Sequence, residues 1–500
     1  MTRLRYFGAA TSVLRHSNWI IAALVTFFAT YLHALFFLNA GGLWRDEAAF
    51  VQLSLLPSVS EVWQKLPYDH CPILMPLAVR AWSVAASPGN TDPGLRVLGL
   101  YVGLFLLVAF WLASWTMRGG APLLAVTLAG LNVTMVRAGD SLRGYGLGSA
   151  LAVLTLAVIW RLSCRPSLAA FSCAVAAAVL SVQALYQNAF FVFAACCGGF
   201  VLCAAERRWR DTLPIFAVGA AAAVSLLPYI PLIIRAQDWY VLNKIGFRFS
   251  HAWKVFSAAT GSDRLPNQNL ILFAGTSLVL AAAGFAFFLR LADFATHPWY
   301  YVPLMAFSAV CLDAIFFTAW RWARPAAMIF AALTISATFL FELPVLKCRQ
   351  TNVDLIAARL STEVAASDYV IVHPWYCGVP FERYYKAAAP WTTLPPLEDH
   401  GVHRFDLLKA KIQTKDPIAP VIDRITSTLQ SGNRVWLVGE MPLSEEPLPK
   451  IRPAPNNPWG WSADYYSFYW GVQVTQFLST HCERSAVVVD PSKICVNPYE

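Results

Sequence analysis

The sequence predicts an α-helical polytopic membrane protein with about 10–11 transmembrane helices, two interfacial helices in the first loop and a small C-terminal α/β domain. The chain is 57% hydrophobic and 13% charged, whereas a soluble globular chain carries roughly 25% charged residues. Its apolar residues are gathered into runs of about 20 residues, which is the length that spans a bilayer. Beyond Lys347 this pattern ends, and the composition becomes that of a soluble domain.

The apolar runs give the predicted spans. They cover residues 19–39, 95–117, 121–136, 145–162, 168–186, 189–205, 213–234, 270–289, 299–319 and 326–345. Residues 47–56 and 73–85 are too short for spans and are predicted to lie along the membrane interface. A second long extracytoplasmic loop is predicted over residues 235–269. Ten spans counted in this way would return the C-terminal domain to the cytoplasm, which conflicts with a role for it on the outer face.

Basic residues orient the chain. The cytoplasmic loops of membrane proteins are enriched in Lys and Arg. Arginines precede the first span and recur in alternate loops: Arg3, Arg5, Arg15, Arg161, Arg165, Arg207, Arg208 and Arg210. The N-terminus is therefore predicted in the cytoplasm, and the loops with Asp46, Asp69 and Asp140 on the extracytoplasmic face. The net charge of +9 is thus assigned to orientation and lipid contact. Without basic runs interleaved with aromatics, no nucleic-acid partner is predicted.

The predicted domain boundary lies near residue 346. Residues 1–346 form the transmembrane domain, whose first extracytoplasmic loop, 40–94, holds the charged motifs, and residues 347–500 form the soluble α/β domain. Its predicted strands are 369–373, 434–439 and 486–490, and its predicted helices lie near 405–411, 420–429 and 463–479. Cys482 and Cys495 are close in sequence and would form a disulfide if this domain is extracytoplasmic.

Two charged motifs occupy the first loop. Arg45, Asp46 and Glu47 follow the first span directly, where charges are costly unless they are paired or functional. The alternative is structural, because carboxylates are favoured at a helix N-terminus. Asp69 and His70 precede the second interfacial helix, which Asp69 would alternatively cap.

Further candidates lie elsewhere in the chain. Asp140, Arg143 and Tyr145 stand between the third and fourth spans, with an ion pair across the turn as the structural alternative. Arg321 and Arg324 separate the last two spans. Asp313 is an acidic residue within a predicted span and is therefore a functional candidate. The acid/His cluster at residues 398–406 is either a second site or a surface loop. The aromatic residues Trp375 and Tyr376 would either stack on sugars or lie in an interfacial belt.

The order of these motifs resembles that of the GT-C membrane glycosyltransferases, in particular the relatives of protein O-mannosyltransferases and lipid A aminoarabinose transferase. The resemblance consists of the Arg-Asp-Glu site after the first span, the Asp-His-x-Pro element at 69–72 and the segment 140–147. It covers about residues 19–324. Two departures from the family pattern are Cys71-Pro72 in place of Pro-Pro and Ser141-Leu142 in place of Glu-Ala.

The resemblance implies inverting transfer of a sugar from a polyprenyl-phosphate donor to a hydroxyl of a lipid, glycan or protein acceptor. A carboxylate serves as general base in such a reaction, which is assigned to Asp46, with Glu47 as its substitute. A cation balances the leaving lipid phosphate, and the other substrate-binding residues orient donor and acceptor. The residues assigned to substrate binding are Arg45, Asp69, His70, Asp140, Arg143, Tyr145, Arg321 and Arg324.

Two alternatives stay open for the metal, namely a divalent cation, Mg²⁺, Mn²⁺ or Zn²⁺, held by Asp46, Asp69 and His70, and transfer without a metal. The expected location is the bacterial inner membrane, with the active site facing the periplasm. Two other functions stay open, namely a transporter or flippase for lipid-linked sugar and a non-catalytic envelope polysaccharide assembly factor. Transport is disfavoured because the charges gather at one membrane face and no internal repeat is visible.

Overall fold

The computed structural model describes residues 2–86, 90–237, 268–292, 297–320, 323–442, 451–456, 462–488 and 494–496. These residues divide into two compact units. The first holds the chain up to Asn39, residues from Cys71 to Ile230 and the described residues up to Lys347. The second holds Ala40–His70, the residues from Pro231, and the described residues from Cys348 onward.

Helices dominate the described chain. Up to residue 346 they are α1 Thr2–Asn39, α2 Arg45–Ser54, α3 Val59–Lys65, α4 Leu74–Ala85, α5 Asp92–Arg118, α6 Leu123–Ala125, α7 Val133–Gly139, α8 Tyr145–Cys164, α9 Leu168–Ala184, α10 Asn188–Ala205, α11 Thr212–Ser225, α12 Ile230–Gln237, α13 Gln268–Ala292, α14 Val302–Ala319, α15 Ala323–Ala337 and α16 Leu343–Leu346. Beyond it they are α17 Val353–Glu363, α18 Gly378–Tyr384, α19 Phe405–Ile412, α20 Ala419–Gln430 and α21 Ala463–His481.

Eight helices among the described residues are long and apolar enough to cross a membrane. They are Ser17–Asn39, Asp92–Arg118, Tyr145–Cys164, Asn188–Ala205, Trp209–Arg235, Gln268–Arg290, Pro298–Ala319 and Ala323–Leu346. Two predicted spans fall short of this length. The span at 121–136 is broken into α6, a π-helical turn and α7, and that at 168–186 has 17 residues in α9. The prediction of a polytopic α-helical membrane protein is confirmed.

The first unit has two distinguishable ends. At one end, His33 of α1 lies 2.6 Å from Asp140, which follows α7. At the other end, Arg118 at the end of α5 pairs with Asp313 of α14. These are called the Asp140 end and the Arg118 end. A terminal residue of a span that contacts either group shows at which of these two ends of the bundle that span begins or finishes.

The contacts of Tyr229 and Asn269 correct the prediction of one extracytoplasmic loop over residues 235–269. Tyr229 accepts a hydrogen bond from the backbone N–H of Ile73 and packs edge-on against Tyr186. The next residue, Gln187, donates a hydrogen bond to the carbonyl of Tyr300. The ring of Tyr300 lies beside that of Tyr145 at the Asp140 end, so Tyr229 lies near that end as well. Asn269 instead bonds Glu206, at the far end of α10.

The two described ends of that segment therefore lie at opposite ends of the bundle, and a single loop on one face is wrong. Residues 238–267 lie outside the described residues. After Gln268 the chain runs to the Asp140 end, back through α14 and out again through α15, so that α16 packs beside α1 and α7.

The second unit contains a three-stranded parallel sheet within its described residues, in the order β2–β1–β3. The strands are β1 Tyr369–His373, β2 Trp391–Thr393 and β3 Val435–Gly439. Every side chain of β1 is buried. Tyr369 and Ile371 face a core formed with α19, α20 and α21, and Val370 and Val372 face α17 and α18, as expected for a parallel strand covered on both faces.

The predicted strands at 369–373 and 434–439 are confirmed. The third, at 486–490, is wrong over its described residues 486–488, which form no strand. The edge strand β2 was not predicted because it has only three residues between Pro390 and Pro395, and prolines argue against a strand. The predicted helices correspond to α19, α20 and α21.

The disulfide joins Cys348 to Cys495, not Cys482 to Cys495 as predicted. Arg349 also donates its backbone N–H to the carbonyl of Cys495 at 2.9 Å, so the start of the domain is bonded to a segment near the end of the chain. Cys482 is a free thiol at the end of α21. Nearness in sequence suggested the wrong pair because an isolated parallel β-bridge between Arg349 and Val496 brings together residues that are far apart in the chain.

Residues Ala40–His70 of the first loop belong to the same compact unit as the C-terminal domain. The backbone N–H of Leu43 donates to the Tyr384 hydroxyl at 2.6 Å, and the N–H of Gln350 donates to the carbonyl of Ala40 at 2.8 Å. This differs from the predicted division at residue 346, which places the whole loop in the transmembrane domain. Loop and C-terminal domain therefore lie on the same side of the membrane.

Candidate active site

The first turn of α2 presents Arg45 and Asp46 as an ion pair. Nε of Arg45 donates to Oδ1 of Asp46 at 2.8 Å, and Asp46 is only 9% exposed. Helix α2 begins here because acidic residues stabilise the unpaired N–H groups of a first turn. Burial by itself lowers the pKa of Arg45, but the adjacent carboxylate outweighs it and raises the pKa above its usual value. The guanidinium is thus a permanent cation next to a carboxylate.

An aromatic ring of the C-terminal domain covers this cation. The Arg45 guanidinium lies 4.7 Å from the centre of the Tyr376 ring and 5.5 Å from that of Trp44, within the range of cation–π attraction. Tyr376 belongs to a 3₁₀ turn that follows β1 almost directly. Burial raises the pKa of Tyr376 to about 12 although Arg45 opposes it, so the phenol is neutral at physiological pH.

Glu47 has a different environment from its neighbour. It is 1% exposed, and successive residues of a helix project about 100° apart, so adjacent carboxylates do not face each other. Asp46 and Glu47 therefore present their carboxylates in different directions. Glu47 could replace Asp46 as the base only if its carboxylate reached the position of the Asp46 carboxylate. The geometry of the helix disfavours this.

Asp69 and His70 follow a 3₁₀ turn at Leu66–Tyr68. Asp69 is 7% exposed, and His70 is exposed with φ +50°, with its ring 6.0 Å from that of Phe405. The alternative that Asp69 caps α4 is wrong, since the N-cap residue of that helix is Ile73.

The predicted acid/His cluster at 398–406 is organised by an arginine. Arg404 binds Asp399 at 2.5 Å and Asp406 at 2.7 Å. Burial raises the pKa of both carboxyls, but the hydrogen bonds from backbone N–H groups and from Arg404 outweigh it and lower their pKa values. Tyr68 of the first loop donates to Asp406 at 3.3 Å. The cluster thus fastens the loop to the domain.

The predicted metal ligands do not form a ligand set. Among the described residues, no three His, Cys, Asp or Glu side chains are gathered closely enough to hold an ion. Asp46 is instead engaged by Arg45. Asp46, Asp69 and His70 as arranged do not fit a Mg²⁺, Mn²⁺ or Zn²⁺ site, and no step proposed below passes through a metal.

In the first unit, Asp140 has a partner that the sequence did not predict. His33 of α1 lies 2.6 Å from Asp140, and both side chains are 3% exposed. The turn approaches α5 closely because Gly99 and Gly103 lack side chains there. A signal for His33 existed, since an ionisable residue within an apolar span is a functional candidate. Its partner 107 residues later has no signature in the sequence.

The remaining predicted residues lie in different places. The guanidinium of Arg143 is 5.7 Å from the ring of Tyr145, so these two lie together with Asp140 at one end of the bundle. Arg324 lines a cavity beside Arg118, at the opposite end. The structure therefore does not bring Arg324 together with Asp140 and Arg143. Arg321 lies outside the described residues.

His400 gives the second unit a pH-dependent stability. Burial lowers the pKa of His400 to about 4, although Asp399 opposes it, whereas an unfolded histidine titrates near 6.5. Below pH 6.5 the unfolded state binds a proton that the folded state does not. The contribution is therefore present above pH 6.5 and is lost progressively towards pH 4, by on the order of 3 kcal/mol.

We expect His400→Phe, which keeps a ring against Trp391 at a 4.6 Å centroid distance, to flatten the pH dependence of the thermal unfolding midpoint between pH 6.5 and 4. The exposed His481 supplies the matched control, His481→Phe. Equal slopes for both variants and the natural sequence would contradict the assignment to His400.

No protein-family profile matches the chain, and no curated protein matches it in sequence. Solved structures do match. Archaeal oligosaccharyltransferase AglB from Archaeoglobus fulgidus, solved with an inhibitory peptide and a dolichol-phosphate, has a TM-score of 0.46 and 10% identity over 83% of this chain and 69% of that chain.

Two further similar structures are transferases by name. The Archaeoglobus fulgidus oligosaccharyltransferase in complex with Zn and sulfate has a TM-score of 0.43 and 10% identity, over 73% of this chain and 62% of that chain. Arabinosyltransferase EmbB from Mycobacterium smegmatis has a TM-score of 0.37 and 13% identity, over 65% of this chain and 38% of that chain.

Proposed function

We propose that the protein is an inverting membrane glycosyltransferase that moves a sugar from a polyprenyl-phosphate donor to an acceptor hydroxyl on the extracytoplasmic face. The observation that supports this function most strongly is the Arg45–Asp46 pair under the ring of Tyr376. It combines a carboxylate and a permanent cation at the junction of the first loop with the C-terminal domain, within one compact unit.

Asp46 is the proposed general base. The acceptor oxygen attacks the anomeric carbon of the sugar, and the bond between that carbon and the phosphate oxygen breaks. The acceptor proton passes to the Asp46 carboxylate, and the electron pair of the broken bond leaves with the polyprenyl phosphate. Attack opposite the leaving group inverts the anomeric configuration. Arg45 holds Oδ1 of Asp46 at 2.8 Å, which fixes the carboxylate for proton transfer.

Arg45 is the proposed cation for the leaving phosphate. Guanidinium groups bind phosphate oxygens through charge-assisted hydrogen bonds, and a cation fixed in advance stabilises the charge that develops during bond breaking. The Tyr376 ring 4.7 Å away restricts the guanidinium without taking up its N–H groups. Glu47, Asp69 and His70 remain proposed residues of the same unit, with Asp69 and His70 orienting the acceptor.

The first unit holds the remaining residues proposed for substrate binding, which are Asp140, Arg143 and Tyr145 at its Asp140 end. Arg143 is proposed to contact the lipid-linked substrate, and Tyr145 is proposed as a wall residue beside it. Asp140, paired with His33, anchors the turn that carries Arg143. These roles follow the match to the family motif.

The disulfide supports an extracytoplasmic location for the second unit. Disulfides persist in oxidising compartments and are rare in the cytosol, and Cys348–Cys495 belongs to the unit that contains the first loop. A periplasmic position of the Arg45–Asp46 pair in a bacterial inner membrane is therefore part of the proposal, and the arginines of the alternate loops support it as well.

The test uses the full chain reconstituted in proteoliposomes with tritium-labelled undecaprenyl-phosphate hexoses and pentoses, together with lipid, glycan and peptide acceptors. We expect labelled acceptor, equimolar release of undecaprenyl phosphate and a product anomer opposite to that of the donor. Empty liposomes serve as the control. Movement of the donor across the bilayer without any transfer would indicate a flippase and overturn the proposal, and retention of the anomeric configuration would overturn the single-displacement mechanism.

A further inference from the structure

A cavity of about 390 Å³ opens at the Arg118 end of the first unit, at the opposite end of the bundle from Asp140. Its lining includes Asn18 and Trp19 of α1, Arg118 of α5, Phe317 of α14 and Arg324 of α15. Along α5 alone, Arg118 stands about 22 Å from the level of Gly103, which touches Asp140. The cavity is therefore separate from Asp140 and the turn that carries Arg143.

Arg118 contributes a cation whose charge is already balanced. Its Nη2 lies 2.6 Å from Oδ2 of Asp313, and the Asp313 side chain is 2% exposed. The other carboxylate oxygen accepts the backbone N–H groups of Leu124 at 3.0 Å and Ala125 at 3.3 Å. Asp313 therefore accepts two of the otherwise unpaired N–H groups of α6 and neutralises Arg118. This assigns the buried acid a structural role.

Arg324 gives the cavity a positive charge that no carboxylate in the described part of the chain balances. Among the described residues, no Asp or Glu side chain forms an ion pair with the guanidinium of Arg324. It lies in the first turn of the 15-residue helix α15, where the helix dipole adds partial positive charge. Arginines usually stabilise the last turn of a helix rather than the first, so its position here is unfavourable unless an anion binds.

Asn18 provides an independent indication of a ligand. It is 5% exposed, and its Oδ1 accepts no hydrogen bond from any described residue. A buried polar atom without a partner costs on the order of 1–3 kcal/mol. Rotation of the amide by 180° presents either its NH₂ group to an anionic oxygen or its carbonyl oxygen to a hydroxyl.

We propose that this cavity binds a phosphate group, with Arg324 as the charge partner and Asn18 as a hydrogen-bonding partner. A phosphate balances the excess charge and has oxygens for both side chains. Two sources share this chemistry, the headgroup of an anionic phospholipid and a soluble phosphate. Trp19 and the ends of the spans place the cavity at the interfacial level, where basic pockets between helices bind anionic headgroups.

The experiment measures phosphate binding with two probes on the full chain in phosphatidylcholine nanodiscs. One probe is inorganic phosphate, titrated calorimetrically against chloride at equal ionic strength, and the other is phosphatidic acid, counted by native mass spectrometry. We expect Arg324→Gln to weaken binding about tenfold, since a charge-assisted hydrogen bond is lost. Asn18→Leu is expected to weaken binding as well, which keeps the test available if one variant folds poorly.

Arg165→Gln is the matched control, since Arg165 is an exposed arginine at the end of α8 near Ser163, on the Arg118 side of the bundle. Weakening in the phosphatidic acid arm identifies a lipid headgroup, and weakening in the inorganic phosphate arm identifies a soluble ligand. Either result supports the proposal. Equal affinities for Arg324→Gln, Asn18→Leu and Arg165→Gln, or no binding of either probe, overturns it. Neither outcome depends on sugar transfer.

Discussion

Asp46→Asn is expected to lower the rate of sugar transfer by roughly 10²–10⁴-fold. The amide has nearly the shape of the carboxylate and can still accept a hydrogen bond from Nε of Arg45, now 2.8 Å from Oδ1, but it cannot take a proton from the acceptor. Donor binding should change little, so the loss should appear in kcat. The measurement is the initial rate of label transfer in proteoliposomes over a range of acceptor concentrations.

Two further variants make this test specific. Glu47→Gln separates the neighbouring carboxylates, which project in different directions from α2. Asp423→Asn, at an exposed position of α20, is the matched control and should transfer at the natural rate. Transfer by Asp46→Asn within threefold of the control would remove Asp46 as the base. A loss in Glu47→Gln alone would exchange the roles of the two carboxylates.

Gly99→Ala is expected to destabilise the first unit. A Cβ atom at this position would stand 2.1 Å from the backbone carbonyl oxygen of Asp140. A backbone atom cannot rotate away, so either α5 or the turn must move. Overpacking of this kind costs about 1–3 kcal/mol, occasionally more. We expect a lower thermal unfolding midpoint and slower sugar transfer, because the displaced turn carries both Asp140 and Arg143.

Gly275→Ala in α13 is the matched control, because a Cβ there meets nothing within 4 Å. The methyl group also favours the helix over glycine by roughly 1 kcal/mol. The midpoint of this variant should be unchanged or higher. Equal midpoints for both alanine variants would show that α5 and the turn separate easily, and would contradict the close approach described for Gly99.

Local chemistry was predictable from the sequence where the interacting residues are neighbours in the chain. Arg45 and Asp46 are adjacent, and the first turn of a helix favours a carboxylate, so both the motif and its helix were predicted. The apolar runs likewise predicted the spans, because a bilayer requires about 20 apolar residues. These signals depend on few residues and do not need the rest of the fold.

Long-range partners were not predictable in this way. Tyr376 covers Arg45, and His33 binds Asp140, but no periodicity links residues so distant in the chain. Hydropathy also fails to tell at which end of the bundle a helix begins, which explains the error over residues 235–269. The disulfide partner of Cys495 could not be predicted for the same reason, because Cys348 is 147 residues away in the chain.

The bond between Cys348 and Cys495 closes a covalent ring around a sequence separation of 147 residues. A protease that cleaves one exposed loop inside this ring leaves both pieces attached to the membrane helices, and the chain migrates as a single band until a thiol reductant is added. Residues 40–70 lie outside the ring and are held by non-covalent contacts such as the bond from Leu43 to Tyr384. Reduction therefore releases the segment around Cys495 from Cys348, whereas the loop that carries Asp46 keeps its contacts with the domain.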